Sequence, residues 1–84
     1  MQNMTKDNID TAADLIPGDK AKIIKLLGKA NLRKKLLDMG MVAGTTIEII
    51  RHAPLGDPVQ IKIKGYHLSL RRAEASHILI KKLR

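Results

Sequence analysis

The sequence predicts a mainly β fold: a small five-stranded barrel of SH3-like order, with one α-helix between strands 1 and 2 and a one-turn helix before the last strand. Three observations support this prediction. Residues 61–70 alternate between aliphatic and polar side chains across a glycine, as a hairpin does. Residues 31–39 change to a helical period. The chain has 84 residues, 44% of them hydrophobic, which suits a single core.

The first strand and the helix are predicted from their boundaries. Residues 20–27 form the first strand, after a turn in which Pro17 fixes its own φ and Gly18 accepts a positive φ. The helix lies in "NLRKKLLDMG", where apolar residues recur at i, i+4 and i+7. Asn31 is its expected N-cap, and Gly40 is expected to take the left-handed conformation after its end.

The second and last strands follow from β-branched and alternating residues. Gly44 suits a tight turn, and the stretch "TTIEII" then starts the second strand. Near the C-terminus, residues 73–75 form a single helical turn. The last strand follows and places Ile78 and Ile80 on one face.

The hairpin between strands 3 and 4 has a register that can be predicted. A two-residue turn at Gly65-Tyr66, with glycine first, suits a type II′ turn. The resulting pairs alternate between polar and aliphatic: Lys64 with His67, Ile63 with Leu68, Lys62 with Ser69, and Ile61 with Leu70. This register therefore predicts an aliphatic inner wall.

Polarity and charge divide the chain near its N-terminus. Residues 1–14 are polar and are expected to form a tail, which leaves residues 15–84 as the folded domain. Residues 1–19 carry one lysine and four aspartates, a net charge of −3. The whole chain has a net charge of +8, so residues 20–84 carry +11. The domain is thus expected to meet acidic partners, nucleic acid or anionic lipid headgroups as a polycation. The sequence shows neither an export signal nor an apolar run long enough to cross a bilayer.

Catalytic motifs are missing from the sequence, so we do not expect an enzyme. A phosphate-binding loop requires GxxxxGK[ST]. Here Ile23 stands in place of the first glycine, and Ala30 follows Gly28-Lys29 in place of serine or threonine. No serine lies in a Gly-x-Ser-x-Gly elbow, and the chain has no cysteine nucleophile.

A resident metal or cofactor is not predicted either. His52, His67 and His77 lie on separate predicted strands, and Glu74 with His77 makes only one i, i+3 pair. Without cysteine no thiolate ligand is available. We therefore interpret these side chains as solvated polar residues, with a weak adventitious divalent-cation site as the alternative.

Basic residues make nucleic-acid binding the main alternative function. Lys62, Lys64, His67 and Arg71 form an outward row that could follow phosphates. Tyr66 is the only aromatic residue, however, and small barrels that bind single strands use several stacking rings. The predicted basic surface comprises Arg33, Lys34, Lys35, Lys62, Lys64 and Arg71.

The loop before the hairpin is the candidate contact with a protein partner. Pro54 stiffens its entry, Gly56 allows a sharp reversal, and Pro58 holds Asp57 extended. Leu55 is the apolar residue at the tip. It either folds back to cap the barrel end or is presented to another protein at low entropic cost. The predicted contact residues are Pro54, Leu55, Gly56, Asp57 and Pro58.

Four motifs, read in order, resemble those of the FeoA family of bacterial ferrous iron uptake. They are "PGD" before the first strand, a basic helix ending in "LLDMG" with Gly44 shortly after it, "APLGDP", and "LSLRRAEASHI". The resemblance covers about residues 15–81.

The resemblance implies a cytoplasmic, non-catalytic accessory protein that contacts FeoB, a membrane permease with its own GTPase domain. Contact would tune transport or GTP turnover and could hold the protein at the inner face of the membrane as a monomer or weak oligomer. A link to transition metal ions is implied only at the level of the family. The fold also resembles the C-terminal domain of iron-dependent repressors of the diphtheria-toxin-repressor kind. A detached regulator-type domain is thus a further alternative, although the chain has no helix-turn-helix segment.

Overall fold

The computed structural model describes residues 9–83. They form six strands, two α-helices and one short 3-10 helix. In chain order these are β1 Ile9–Thr11, the 3-10 helix Ala12–Asp14, β2 Lys20–Leu26, α1 Ala30–Asp38, β3 Thr46–His52, β4 Val59–Ile63, β5 Tyr66–Leu70, α2 Arg72–Ala75 and β6 Ile78–Lys82.

All six strands belong to one antiparallel sheet with the order β1-β6-β2-β3-β4-β5. The prediction of a mainly β, SH3-like fold with an inserted helix and a one-turn helix is confirmed. The predicted closure is not found, because no ladder joins β1 to β5 within the described part of the chain. No helix in that part is long and apolar enough to cross a membrane.

The core is aliphatic, as the absence of Phe and Trp requires. Alternate positions of β2, β3, β4 and β6 are buried, which is the pattern of strands with one wet face. No polar or charged residue among residues 9–83 is classed as buried. The largest side chains with almost no exposure are Leu15, Ile23, Leu36, Met41, Ile47, Ile49, Ile61, Ile63, Leu70, Ile78 and Ile80.

The N-terminal segment corrects the predicted tail. Residues 9–11 pair with β6, from Ile9 opposite Lys81 to Thr11 opposite Leu79. The next residues, Ala12 and Ala13, are buried in the core. The domain therefore includes residues 9–14, and only residues 1–8 of the predicted tail lie outside the described residues.

Helix α1 begins two residues earlier than predicted. Lys29 is the N-cap residue and provides no side-chain cap, whereas Asn31 lies inside the helix and its Oδ1 accepts a hydrogen bond from Leu32 N at 2.9 Å. The predicted cap at Asn31 is thus wrong, because Ala30 already has helical geometry. The predicted role of Gly40 is confirmed by its φ of +95°.

The hairpin keeps the predicted faces but not the predicted register. The turn residues are Lys64 and Gly65, both with positive φ, so Ile63 pairs with Tyr66 and Ile61 with Leu68. Two positive φ values are the mark of a type I′ turn, whose twist suits a hairpin. Because the partner strand shifts by two residues, its inward and outward faces are unchanged.

Gly28 is the described glycine at which an added side chain would be most crowded. Its φ is +92°, and a Cβ there would lie 2.9 Å from His77 Cδ2 and 3.2 Å from Leu32 Cδ2. Gly28→Ala should therefore lower the free energy of unfolding by about 1–3 kcal/mol. Gly40→Ala is the matched control, because its φ is similar but its Cβ would meet nothing within 4 Å. Equal losses of unfolding free energy for the two variants in urea denaturation would show that crowding against His77 does not contribute to the destabilisation.

Candidate functional site

The loop between β3 and β4 is held at both ends by backbone hydrogen bonds. Ala53 N donates to Pro58 O at 3.0 Å, and Gly56 N donates to Ala53 O at 2.7 Å. Gly56 has a φ of +86°, which favours glycine at this reversal. The loop thus has a defined shape fixed by its own backbone.

Leu55 lies at the tip of this loop and is 95% exposed. It therefore does not cap the barrel, and that alternative is wrong. A large apolar side chain so fully exposed on a constrained loop gains nothing from the fold itself. Its contact with a partner stays a prediction.

Asp57 connects the loop to helix α2. Its Oδ1 accepts a hydrogen bond from Arg72 N at 2.9 Å, which satisfies a backbone donor at the start of that helix. The loop, the end of β5, α2 and α1 consequently surround one groove of about 400 Å³. Residues that line it include Lys35, Asp57, Pro58, Ser69, Arg71 and Glu74.

Glu74 joins the two helices across this groove. Its Oε2 accepts from Lys35 Nζ at 2.5 Å, and its Oε1 accepts from Arg71 N at 3.0 Å. The hydrogen bond from Lys35, followed by that from Arg71 N, lowers the pKa of the Glu74 carboxyl below its ordinary value. The ionised carboxylate is the form that holds the groove together.

This lowered pKa predicts an acid-dependent loss of stability. The contribution of Glu74 is fully present above the ordinary pKa of a glutamate, about 4.3, and disappears as the pH falls through the lower folded value. Glu74→Gln should cost about 1 kcal/mol or less at neutral pH and should flatten the decline in stability below about pH 5. Thermal melts across pH measure both effects.

Asp38→Asn is the control for this change. Asp38 pairs with Lys34 at 3.6 Å, and both side chains are more than two-thirds exposed. An exposed pair of this kind contributes little to stability. A wild-type pH profile for Glu74→Gln, or an equally altered profile for Asp38→Asn, would contradict the role given to Glu74.

The predicted basic residues do not form one surface. On α1, the three side chains already have partners: Arg33 donates to Gly28 O, Lys34 pairs with Asp38, and Lys35 pairs with Glu74. Arg71 lines the groove. Lys62 and Lys64 instead lie at the hairpin, beside a second depression.

The histidines are placed apart, each in a different setting. His67 is exposed on β5, His77 Nδ1 lies 3.0 Å from Ala73 O, and His52 Nε2 is enclosed without a hydrogen-bond partner among the described residues. Across residues 9–83, no group of three or more His, Asp or Glu side chains could hold a metal ion. The expectation of no resident metal stays a prediction.

Comparison with known proteins identifies the family. The sequence model of the FeoA domain matches residues 11–82. This chain belongs to the FeoA family. A curated relative, the Fe(2+) transport protein A/Fe(2+) transporter FeoB fusion protein of Porphyromonas gingivalis, is 44% identical over 66 residues. The match takes in 79% of this FeoA-family chain but only 8% of the relative's length.

Solved structures support the same fold. A FeoA-like protein of Clostridium acetobutylicum has 38% identity and a TM-score of 0.86, covering 92% of this FeoA-family chain and 90% of that one. FeoA of Stenotrophomonas maltophilia, called an SH3 domain protein and solved with zinc, has 21% identity and a TM-score of 0.76, covering 88% and 95%. A manganese-dependent transcriptional repressor with 12% identity and a TM-score of 0.80, covering 89% and 41%, shares the fold alone.

Proposed function

We propose that this protein is a non-catalytic accessory protein of ferrous iron uptake that acts by contact with a FeoB-type permease. The observation that carries the proposal is Leu55, which is 95% exposed at the tip of a constrained loop. A rigid loop loses little conformational entropy on binding. Most of the free energy gained by burying its apolar tip can therefore appear as affinity. The loop residues 53–58 are the proposed contact.

The fused relative supports FeoB as the partner. In the P. gingivalis protein, transport protein A and FeoB belong to one chain. A covalent link raises the effective concentration of two modules that bind each other.

The motifs support an accessory role rather than catalysis. The sequence has no phosphate-binding loop, so the GTP turnover of the system would belong to the permease. The proposed site of action is the cytoplasm, at the inner face of the membrane through the partner. Contact would tune either transport or GTP hydrolysis by the permease.

Binding to the purified permease tests the proposal. We expect a saturable complex between this protein and the FeoB-type permease of the same organism in detergent, together with a changed rate of GTP hydrolysis on complex formation. Absence of a complex at about 100 μM, a concentration that would detect even weak transient contacts, would reject the proposed function.

A further inference from the structure

We call five of the exposed lysines on the outer face of the sheet the lysine face: Lys20, Lys22, Lys62, Lys64 and Lys81. In β2 and β4, lysines alternate with buried aliphatic residues, so their side chains point away from the core. Lys20, Lys62 and Lys64 also line one depression of about 220 Å³. The lysine face therefore extends across β6, β2, β3 and β4.

Like charges lie directly opposite each other on this face. Lys22 pairs with Lys81 across β2 and β6, and both side chains are exposed. Like charges at directly opposed positions destabilise a sheet. The fold thus carries a repulsion that an anionic surface would relieve.

The acidic residues of the described chain give this face little compensation. Five of them already bind backbone or basic groups elsewhere: Asp14, Asp19, Asp38, Asp57 and Glu74. Asp10 lies opposite Ile80 rather than on the lysine face. Glu48, between Lys20 and Lys62, is the one described acid that shares the face, and it makes no ion pair within 4 Å with any residue from 9 to 83.

We propose that the lysine face binds the surface of an anionic lipid membrane. The charges spread over two dimensions, because the step from β6 to β4 crosses three strand spacings, about 14 Å. That arrangement suits contact with many lipid headgroups at once. Proteins that bind a nucleic-acid strand instead use a single groove with stacking rings, and Tyr66 is the chain's only aromatic residue. Basic residues near an anionic leaflet each attract it by about 1 kcal/mol, or about fivefold in affinity. This inference does not depend on the proposed contact with FeoB.

Co-sedimentation with lipid vesicles tests the inference on the full chain. We expect binding to vesicles of phosphatidylcholine with roughly one-third phosphatidylglycerol, little binding to phosphatidylcholine alone, and loss of binding between about 0.1 and about 0.5 M salt as the charges are screened. Equal binding to both kinds of vesicle, or none to either, would overturn the inference.

Lys22→Glu separates membrane binding from folding. The change removes one attraction and adds one repulsion, so vesicle affinity should fall by about 30-fold. It also replaces the Lys22–Lys81 repulsion by an opposite-charge pair, so the melting temperature should stay equal or rise. Weaker binding together with equal or higher stability is a result that misfolding does not produce.

Lys29→Glu is the control with the same change in net charge. Lys29 is exposed at the N-cap of α1 and belongs to none of the strands that carry the lysine face, so its replacement should alter vesicle affinity by less than about threefold. An equal loss in both variants would show a non-specific effect of net charge and reject the lysine face. Tighter binding to single-stranded RNA than to the vesicles, compared per phosphate, would reassign the face to nucleic acid.

Discussion

Replacing Ile61 by alanine is expected to lower the free energy of unfolding by about 2–5 kcal/mol. Ile61 is completely buried and pairs with Ile49 on one side and Leu68 on the other. The truncation leaves a cavity in a core without aromatic side chains that could shift into it. In a domain of this size the loss is a large share of the total stability and should lower the melting temperature by more than about 8 °C.

Urea denaturation of Ile61→Ala and Gln60→Ala checks this prediction. Gln60 is the next residue on β4 and is exposed on the opposite face, so its replacement should change stability by less than about 0.5 kcal/mol. An unchanged midpoint for Ile61→Ala would contradict the buried face of β4. A similar loss in both variants would show that the strand, rather than the core, is disturbed.

The inward faces of the strands were predictable because alternation is a local signal. The period of two predicts that Ile61, Ile63 and Leu70 lie in the core, and all three are buried. The same period predicts Leu68 in the core, but Leu68 is only partly buried, although it packs against the same cluster. Burial of a particular residue on an edge strand depends on its neighbours, which the period does not reveal.

The register of the hairpin depends on the residues at its far end as well as on the turn. The observed register places the buried pair Val59 and Leu70 opposite each other, whereas the predicted one would have placed Val59 opposite Arg72. Lys64 consequently adopts a φ of +51°, which costs a non-glycine residue about 1–2 kcal/mol. Turn chemistry alone favours a turn with glycine at its first position, because it takes no account of the apolar pair Val59–Leu70 at the far end of the hairpin.

The N-terminal strand and the groove could not be predicted from local patterns. β1 has only three residues, and its partner β6 lies some seventy positions further along the chain. Ala12 and Ala13 are small and give a weak apolar signal, yet they are buried. The hydrogen bond from Arg72 N to Asp57 likewise joins residues 15 positions apart. No local pattern therefore indicates that this aspartate binds a helix terminus.

The separation of the basic residues also arises from tertiary structure. Arg33, Lys34 and Lys35 follow one another in sequence, and that proximity predicts a common basic surface. Each finds a different partner, on the backbone, on its own helix or on α2. The lysine face was missed as a unit because its members come from three strands and a turn that only the sheet order brings together.

Leu55→Asp is expected to weaken the complex with the FeoB-type permease by about 30-fold or more while leaving the fold intact. The side chain is 95% exposed, so its replacement should change the free energy of unfolding by less than about 0.5 kcal/mol. Within an interface the same change removes apolar contact and forces a carboxylate out of water, which costs roughly 2 kcal/mol or more.

Tyr66→Asp is the control, measured for permease affinity and thermal stability beside Leu55→Asp. Tyr66 is 68% exposed at the start of β5, opposite Ile63. Ile63 ends β4 about 17 Å along that strand from the loop 53–58, so the same gain of charge occurs away from the proposed contact. It should leave permease affinity within about threefold of wild type. A stable Leu55→Asp protein that binds normally would show that the loop is not the contact. An equal loss in both variants would mean that the permease responds to added negative charge anywhere on the molecule, and a marked fall in the melting temperature of Leu55→Asp would show that the exposed leucine serves the fold.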